Sequence, residues 1–466
     1  MDVMASLVKN IIRTGFNDLT PESIVAAEKA IVDTIGTMMA GSSIEGCRLL
    51  VNAVKGMGGT GESTIAVFGG KVSPNMAALA NGAMARAMDI DDVNDAFPLH
   101  PGAVIVPTAL AVAEGRGGTD GRDLITSVAL GQDLMVRMAY ATKLNPIISG
   151  RYNLFKVFAA VGTAGKLMGL DEEALSNAMG VAYSRLVGDA QALHEGVMTA
   201  YIQEGEAAES AIESAILAER GITGTRGVLQ GERGFFNVYE PDPNLNALTS
   251  EVGSIFRGVD IGIKPYSSCR STHEAIDLVL GVRKYPGIVP DRIERIIVRV
   301  NNITFNLTGH PLDLKHHPKN KSDAQFSLPF TIAAAFIRGD FFIDEITDEA
   351  INNEEILRLA ARVTPILDNE CQTDLSLGST VLEIETNDGE KFSVQKSFPR
   401  GNPKDPMSLE DCMEKFRKCA KYAFRPFSEK QIDRITSILI ELENLERIEQ
   451  LVRLLVPEEG KSGRSL

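Results

Sequence analysis

The sequence is that of a long and acidic globular chain. Its 466 residues exceed the size at which one hydrophobic core usually suffices, so two domains are expected. Hydrophobic residues make up 44% and charged residues 23%, proportions typical of a folded protein. The net charge of −15 disfavours nucleic-acid and anionic-membrane partners. An anionic substrate would therefore need a local cluster of cations.

The cysteines and the start of the chain indicate a cytoplasmic protein. The five cysteines are odd in number and form no C-x-x-C pair, so reduced thiols are expected, without structural zinc or an iron–sulfur cluster. The first residues contain Lys9 and Asn10 within their apolar part and are predicted to form a helix, not a signal peptide. The longest apolar stretch, 103–113, is too short for a membrane span of about 20 residues.

The first part of the chain repeats one pattern, in which a cap is followed by an apolar-periodic helix. Thr20-Pro21 and Ser73-Pro74 each place a cap residue before a proline at the first helical position. Small residues at near-helical spacing after position 204 favour close helix packing. Residues 1–262 are therefore predicted to be all-helical, with helices at 75–88, 120–142, 155–168, 171–186 and 204–220.

The pattern then changes to one with strands. Residues 292–300 alternate and are rich in Ile and Val, and 380–398 is predicted as a hairpin with Asn387-Asp388-Gly389 at its turn. Helices are predicted at 272–282 and 323–337 between these strands.

The predicted fold class is mainly α, with one domain inserted into another. Helices predicted at 408–423 and 428–455 return the chain to the first domain. The prediction is a large all-helical domain built from both chain ends, 1–262 and 398–466, and a smaller α+β lid domain, 263–397. Such an insertion predicts a cleft between two domains, where ligands often bind.

Two patterns do not support the functions that they first suggest, and a third motif is absent. The run 56–61 matches G-x-G-x-x-G but follows a helix and precedes a strand-like segment, which is the wrong order for a dinucleotide site. His310, His316 and His317 lie among lysines without carboxylates at ligand spacing, so a solvated basic loop is favoured over a metal site. No G-x-S-x-G elbow indicates a serine hydrolase.

An acidic run followed by one histidine carries the strongest chemical signal. Asp89, Asp91, Asp92 and Asp95 precede His100 by a few residues, and the prolines and glycine around His100 place it on a turn between two helices. Several carboxylates near one imidazole indicate a proton-transfer site. Turns held between rigid helices often carry catalytic groups.

Cations lie where the chain passes from the first predicted domain to the second. Lys264, Arg270 and His273 occupy this crossing. Ser271 or Thr272 is expected to cap the helix that follows, whose N-terminal amides suit a carboxylate.

The return crossing carries a further cation, Arg400. Any one of these charges is as easily explained as a solvated linker residue. Their placement at both crossings favours a site for a polycarboxylate.

These motifs resemble the MmgE/PrpD family. The resemblance rests on 81–107, 264–273, 323–330 and 400–403, in the order expected for that family. The family includes 2-methylcitrate dehydratase, cis-aconitate decarboxylase and iminodisuccinate epimerase. The resemblance implies a homodimer with an active site in the cleft between the helical and lid domains, which works without metal or organic cofactor.

Three positions match the residues that the family uses. Asp89 corresponds to the first aspartate of its L-D-x-D-D motif, His100 to the histidine of its H-P-x-G turn, and Lys264 to its junction lysine. The resemblance implies that these three are catalytic.

Four other positions depart from the family pattern. Arg86 stands where the family commonly has histidine, and Asn153 follows Tyr152 where an aromatic–histidine pair is frequent. Ala200 occupies the place of a lysine after threonine, and Phe330 that of a tyrosine. Lys156 is expected either to restore some of the lost positive charge or to be an exposed helix lysine.

The expected chemistry is proton abstraction beside a carboxylate. His100, oriented by Asp89 or Asp92, is expected to serve as base or acid, while Lys264 and Arg270 hold carboxylates. The residues expected to bind the substrate are Arg86, Asp92, Lys156, Arg270, His273 and Arg400.

Several functions remain open at this point. The favoured one is a cofactor-independent lyase acting on a small polycarboxylate, with 2-methylcitrate dehydratase-like hydro-lyase chemistry. An epimerase or isomerase of the iminodisuccinate type is the nearest alternative, and decarboxylation is a third. Because several polar site groups are replaced, a carboxylate-binding protein with weakened catalysis is the alternative from another class.

Overall fold

The chain is mainly α-helical, as the sequence predicts. The computed structural model describes residues 3–146, 149–372 and 377–458. Within them lie helices along most of the chain and two small sheets. No helix in these described ranges is both long and apolar enough to cross a membrane.

The chain forms two compact units. The first comprises Met1–Ile261 and Ser408–Leu466, and the second comprises Gly262–Met407. The cleft and the lid role that the sequence suggests for the second segment stay predictions. Each unit is described by itself below.

The first unit is built almost entirely of helices. Its only strands among the described residues, β1 (Ser63–Thr64) and β2 (Lys71–Val72), pair antiparallel. Its helices are α1 (Val3–Arg13), α2 (Pro21–Gly41), α3 (Glu45–Met57), α4 (Pro74–Arg86), α5 (Gly102–Arg116), α6 (Gly121–Ala141), α7 (Lys156–Leu167), α8 (Glu172–Tyr183), α9 (Gln191–Glu195), α10 (Thr199–Glu219), α11 (Phe235–Tyr239) and α12 (Asn246–Thr249).

Caps in the sequence determine where several of these helices begin. Thr20 accepts a hydrogen bond from the amide of Ser23 at 3.3 Å, and Asp120 accepts one from the amide of Asp123 at 2.8 Å. These side chains satisfy amides that the first turn of a helix leaves without partners. The predicted start of the second helix at Thr20-Pro21 is confirmed.

Two glycines allow α4 and α10 to pack closely. A Cβ atom at Gly82 would lie 2.8 Å from the Cα atom of Gly205, and one at Gly205 would lie 2.1 Å from the carbonyl oxygen of Leu79. Because the backbones are this close, neither position has room for a larger side chain. α4 leads directly into the acidic run that precedes His100, so this contact fixes where that run begins.

The C-terminal segment completes the first unit, but not with the continuous helix predicted at 428–455. That prediction is wrong, because the chain leaves α-helical geometry between α21 (Glu429–Ile440) and α22 (Glu449–Leu454). There the amide of Gly121 donates to the carbonyl of Leu445 at 2.7 Å, and the amide of Ile448 donates to the carbonyl of Thr119 at 2.9 Å. These tertiary bonds to the start of α6 outweigh the local helical periodicity. The helices of this segment are α20 (Leu409–Ala420), α21 (Glu429–Ile440) and α22 (Glu449–Leu454).

The second unit contains a four-stranded sheet with short helices. Its strands are β3 (Ile293–Val300), β4 (Val363–Leu367), β5 (Thr380–Thr386) and β6 (Lys391–Lys396). Its helices are α13 (His273–Val282), α14 (Asn302–Thr304), α15 (Leu312–His316), α16 (Lys321–Gln325), α17 (Leu328–Arg338), α18 (Asp348–Ile351) and α19 (Glu354–Ala360).

The sheet has the order β4-β3-β5-β6. β3 is parallel to β4 and antiparallel to β5, and the hairpin predicted for β5 and β6 is confirmed. Alternate residues of β5 are buried, as expected for a strand with one face on a core. α13 packs on β5 and β6, and α17 packs on β4.

The helix predicted at 323–337 is interrupted. It divides into α16 and α17 around Ser327, whose hydroxyl accepts a hydrogen bond from the amide of Phe330 at 3.0 Å. Pro329 has no amide hydrogen and cannot continue a helix from the preceding turn. Ser327 and Pro329 therefore start α17 as a new helix instead of extending α16.

We expect Gly205→Ala to lower the stability of the protein by about 1–3 kcal/mol or more, because its methyl group would meet the Leu79 carbonyl. Gly56→Ala in α3 is the matched control. It places the same methyl group where no atom lies within 4 Å, and should stabilise the helix by up to about 1 kcal/mol. Thermal unfolding of both variants checks the pair; equal effects of the two substitutions would contradict this packing.

Candidate active site

The acidic run of the first unit forms a tight turn beside Arg86, the last residue of α4. Asp89 has a left-handed backbone with φ of 55°, which turns the chain back toward the helix end. Nη1 of Arg86 donates to Oδ1 of Asp89 at 2.6 Å and to Oδ1 of Asp91 at 3.2 Å. Burial opposes the charged form of Arg86, but the negative charges of Asp91 and Asp89 outweigh it and hold the pKa of Arg86 well above its usual range.

His100 is buried, and its contacts fix its tautomer. Nδ1 lies 2.8 Å from the main-chain oxygen of Asp92 and 3.2 Å from Oδ2 of Asp91. A carbonyl oxygen only accepts hydrogen bonds, so Nδ1 must carry the proton. Nε2 of the neutral ring then has the free lone pair, and the Asp91 carboxylate can stabilise the imidazolium formed when Nε2 takes up a proton.

The carboxylate that contacts His100 is neither of the two that the sequence predicts. The expected partner was the side chain of Asp89 or Asp92. Instead, Asp91 contacts the imidazole, and Asp92 contributes its main-chain oxygen. Their spacing along the chain could not distinguish these aspartates, because which carboxylate faces the ring depends on the left-handed turn at Asp89.

The side chain of Asp92 holds the start of α5. Both of its carboxylate oxygens lie 2.9 Å from the amide nitrogen of Gly102, and a Cβ atom at Gly102 would lie 3.0 Å from this carboxylate. Burial, with the nearby charges of Asp91 and Asp33, raises the pKa of Asp92 well above its usual range. Its expected role in binding substrate stays a prediction, since the contact observed is with the helix.

A buried lysine from the C-terminal segment supports the same turn. Nζ of Lys415, on α20, donates to Oδ1 of Asp33 at 2.5 Å and to the main-chain oxygen of Ile90. Lys415 is 4% exposed and Asp33 only 1%, so this ion pair is shielded from solvent. The contact attaches the acidic run to α2 and α20.

A second charged pair lies at the start of α7. Nζ of Lys156 lies 3.3 Å from Oε2 of Glu204 and 5.4 Å from the centre of the Tyr152 ring. Lys156 is 1% exposed, so the alternative of an exposed helix lysine is wrong. Burial lowers the pKa of Lys156 although Glu204 opposes this shift. Glu204 was not predicted, since nothing in the sequence relates it to Lys156.

Arg86 keeps a donor beyond its bonds to the two aspartates. Its Nε is buried and, like Nζ of Lys156, has no hydrogen-bond partner among the described residues. Its guanidinium can therefore hold Asp89 and Asp91 through Nη1 and still offer Nε to another acceptor, as binding of a substrate carboxylate would require.

In the second unit, the segments around Lys264 and Arg400 lie side by side. The amide of Ile263 donates to the carbonyl of Gly401 at 2.9 Å. Gly401 has φ of 85°, and a Cβ atom there would lie 1.8 Å from the Ile263 carbonyl oxygen, so glycine is required. Lys264 is 1% exposed, and the side chain of Arg400 is exposed.

Arg270 is held by its own neighbours within this unit. Nη1 lies 2.9 Å from the main-chain oxygen of Arg400 and 3.2 Å from Nδ1 of His273, while Nε2 of His273 lies 3.2 Å from the Ser268 carbonyl. A guanidinium only donates, so Nδ1 of His273 accepts and its Nε2 carries the proton. His273 therefore orients Arg270 through this contact, and the predicted binding of substrate by both residues stays a prediction.

The expected capping of α13 by Ser271 or Thr272 is wrong. Thr272 is the residue before the helix, but its side chain makes no capping hydrogen bond. Its hydroxyl donates instead to the Cys269 carbonyl at 2.9 Å, within a 3₁₀ turn over Arg270–Thr272. The tighter turn carries the chain directly into α13.

Phe330 and Ala200, which stand where the family pattern predicts polar residues, differ in their surroundings. Phe330 is fully buried in the hydrophobic core of the second unit. Ala200 lies in the first turn of α10 and is half-buried. Neither side chain can supply a proton or a charge.

The loop that contains three histidines is partly structural. Nζ of Lys315 donates to the carbonyls of Leu307 at 2.9 Å and Phe326 at 2.7 Å, and Nε2 of His316 lies 2.9 Å from the Val363 carbonyl. The expectation of a simply solvated loop is therefore wrong for these two residues. Across the described ranges, no group of three or more His, Cys, Asp or Glu side chains is arranged to hold a metal ion.

Comparison with known families accounts for nearly the whole chain. The MmgE/PrpD N-terminal domain model matches residues 5–248, and the MmgE/PrpD C-terminal domain model matches residues 266–440. The chain belongs to the MmgE/PrpD family. The family resemblance of the sequence motifs is thereby confirmed.

Several relatives carry the name cis-aconitate decarboxylase or a name derived from it. Each aligns with this chain over most of its own length. The cis-aconitate decarboxylase of Aspergillus terreus (strain NIH 2624 / FGSC A1156) is 25% identical, over 94% of this chain and 93% of its own. The human cis-aconitate decarboxylase is 25% identical, over 94% and 91%. The cis-aconitate decarboxylase-like protein oryM of Aspergillus oryzae (strain ATCC 42149 / RIB 40) is 23% identical, over 98% of both chains.

We expect Asp92→Asn to change how stability depends on pH. Because the folded-state pKa of Asp92 is raised, its favourable contribution is present below its unfolded pKa and is lost as pH rises through the folded value. Asparagine keeps an acceptor for Gly102 but does not titrate. The variant should therefore gain stability relative to the wild type as pH rises above the unfolded aspartate pKa of about 4, as urea denaturation would measure. A difference in stability that does not change with pH would contradict the assignment.

Proposed function

We propose that the protein is a cofactor-independent lyase acting on a small polycarboxylate, through removal of a proton beside a carboxylate. The observation that carries this proposal is His100, whose Nδ1 faces the Asp92 carbonyl and the Asp91 carboxylate. This arrangement leaves Nε2 as a base and stabilises the ring after protonation. Family membership supports the substrate class, because the relatives named above are cis-aconitate decarboxylases.

The preferred reaction is the loss of water from a hydroxy-polycarboxylate. Nε2 of His100 takes the proton from the carbon beside a carboxylate, and the C–H electron pair forms the new double bond. The C–O bond breaks at the neighbouring carbon, and the hydroxyl leaves as water after receiving a proton. We assign to Lys264 and Arg270 the binding of carboxylates and the stabilisation of enolate-like charge, which such an elimination requires.

Only part of the Arg86 guanidinium is assigned to substrate binding in this proposal. Nη1 is already bonded to Asp89 and Asp91, so Nε, which has no partner among the described residues, is the donor that we assign to a substrate carboxylate. Lys156 is paired with Glu204, and we assign to this pair the local charge balance beside the base.

Decarboxylation is the second candidate, and the names of the relatives favour it. In that reaction the C–C bond to a carboxylate breaks, carbon dioxide leaves, and the electron pair on carbon is protonated. His100 would act as the acid, in its protonated form. Epimerisation, the third possibility, returns a proton to the same carbon and releases nothing.

One experiment separates these reactions. The protein is incubated in deuterated water with citrate, 2-methylcitrate, cis-aconitate and related dicarboxylates, and products are followed by NMR. We expect loss of water from a hydroxy acid; release of carbon dioxide would favour the decarboxylase, and exchange without loss would favour the epimerase. Ligand-dependent thermal stabilisation with no turnover or exchange would overturn the lyase and favour a carboxylate-binding protein.

We expect His100→Gln to lower turnover about 10²–10⁴-fold, because it removes the proton-accepting nitrogen but retains a polar side chain of similar size. Affinity for the substrate should change far less, since His100 is not assigned to binding. The rate of proton exchange, measured alongside binding by calorimetry, checks this separation. Unchanged turnover would remove His100 from the mechanism.

A further inference from the structure

Asn153 carries an unusual combination of strain and an unmet hydrogen bond. Its backbone is left-handed, with φ of 51°, and the residue is 2% exposed. Its side-chain oxygen Oδ1 is buried and has no hydrogen-bond partner among the described residues. A buried acceptor without a donor is costly, and backbone strain of this kind concentrates at functional sites.

The orientation of this amide is fixed by its other end. Nδ2 of Asn153 donates to the carbonyl oxygen of Pro98 at 2.8 Å. If the amide were turned over, Oδ1 would face a carbonyl that also only accepts, so the observed orientation is the favourable one. The group that Oδ1 lacks must therefore be a hydrogen-bond donor.

The position of Asn153 relates this acceptor to the proposed base. Pro98 lies two residues before His100 on the same turn, so the Asn153 amide is attached to the segment that carries the imidazole. The main-chain oxygen of Asn153 also accepts a hydrogen bond from the amide of Lys156 at 3.0 Å, at the start of α7. Asn153 thus connects the turn that carries His100 to the start of α7.

We infer that Oδ1 of Asn153 accepts a hydrogen bond from a hydroxyl or amino group of the substrate. This inference rests on the proposed function and narrows its substrate class to polycarboxylates that carry such a donor. An unsaturated acid such as cis-aconitate has only ionised carboxylates and a double bond near neutral pH, so it offers no donor to this oxygen. Asn153 is thereby a specificity-determining residue that favours substrates able to lose water or ammonia.

Matched pairs of acids test this assignment. Citrate and tricarballylate differ only by one hydroxyl group, and calorimetry should show citrate binding about tenfold or more tightly to the wild-type protein, because tricarballylate leaves Oδ1 unpaired. Malate, aspartate and succinate form a second set, in which a preference for malate indicates a hydroxyl donor and a preference for aspartate an amino donor.

Asn153→Gly is the informative variant, since glycine tolerates the left-handed backbone while the acceptor is removed. The preference for citrate over tricarballylate should fall to about twofold or less, and the affinity for tricarballylate should stay near that of the wild type. General damage to the site would instead weaken the binding of both acids equally, so the affinity for tricarballylate serves as the internal control.

Three results would overturn the inference. Equal binding of citrate and tricarballylate by the wild type, together with equal binding across the malate set, would show that Oδ1 selects no donor, as a buried water at this oxygen would produce. A preference that persists in Asn153→Gly would assign the selection to another residue. Binding of none of the five acids would overturn the proposed polycarboxylate function as well, which distinguishes its failure from failure of this inference alone.

Discussion

The ion pair between Lys415 and Asp33 is the contact on which the candidate site of the first unit depends. Both groups are buried, and Lys415 also donates to the main-chain oxygen of Ile90, inside the acidic run. Removing one member of a buried pair leaves an uncompensated charge, which commonly lowers the stability of a protein by about 3–5 kcal/mol. The turn that orients His100 is therefore held by a residue from the far end of the chain.

Two buried cations of the first unit, Arg86 and Lys156, are neutralised by nearby carboxylates. Arg86 is bonded to two aspartates and Lys156 is paired with Glu204, so the positive charge of each is balanced by neighbouring carboxylates. Pairing makes burial of these groups possible, because an isolated charge would lose its hydration without compensation. It also means that cations seen in a sequence overstate the positive charge that a ligand would meet.

We expect the positions that depart from the family pattern to affect specificity more than the proposed proton transfer. His100 retains two contacts that define its tautomer, whereas Asn153, Ala200 and Phe330 replace groups that could carry charge or protons. The replaced positions do not share one consequence, because Phe330 is part of a hydrophobic core while Asn153 presents a buried, oriented acceptor.

Local patterns in the sequence determined the mainly α class, the capped start at Thr20, the hairpin around Asn387 and the turn that carries His100. Caps, prolines and hydrophobic periodicity act over a few residues, so each can be recognised without knowledge of the rest of the chain. Only the tertiary structure decided that Asp91 faces His100 and that Lys415 supports their turn. It also decided that backbone contacts with α6 interrupt the C-terminal helix. These contacts either join residues on separate segments or depend on the exact path of a turn. Each of them is decided by packing between segments, which no short stretch of sequence encodes.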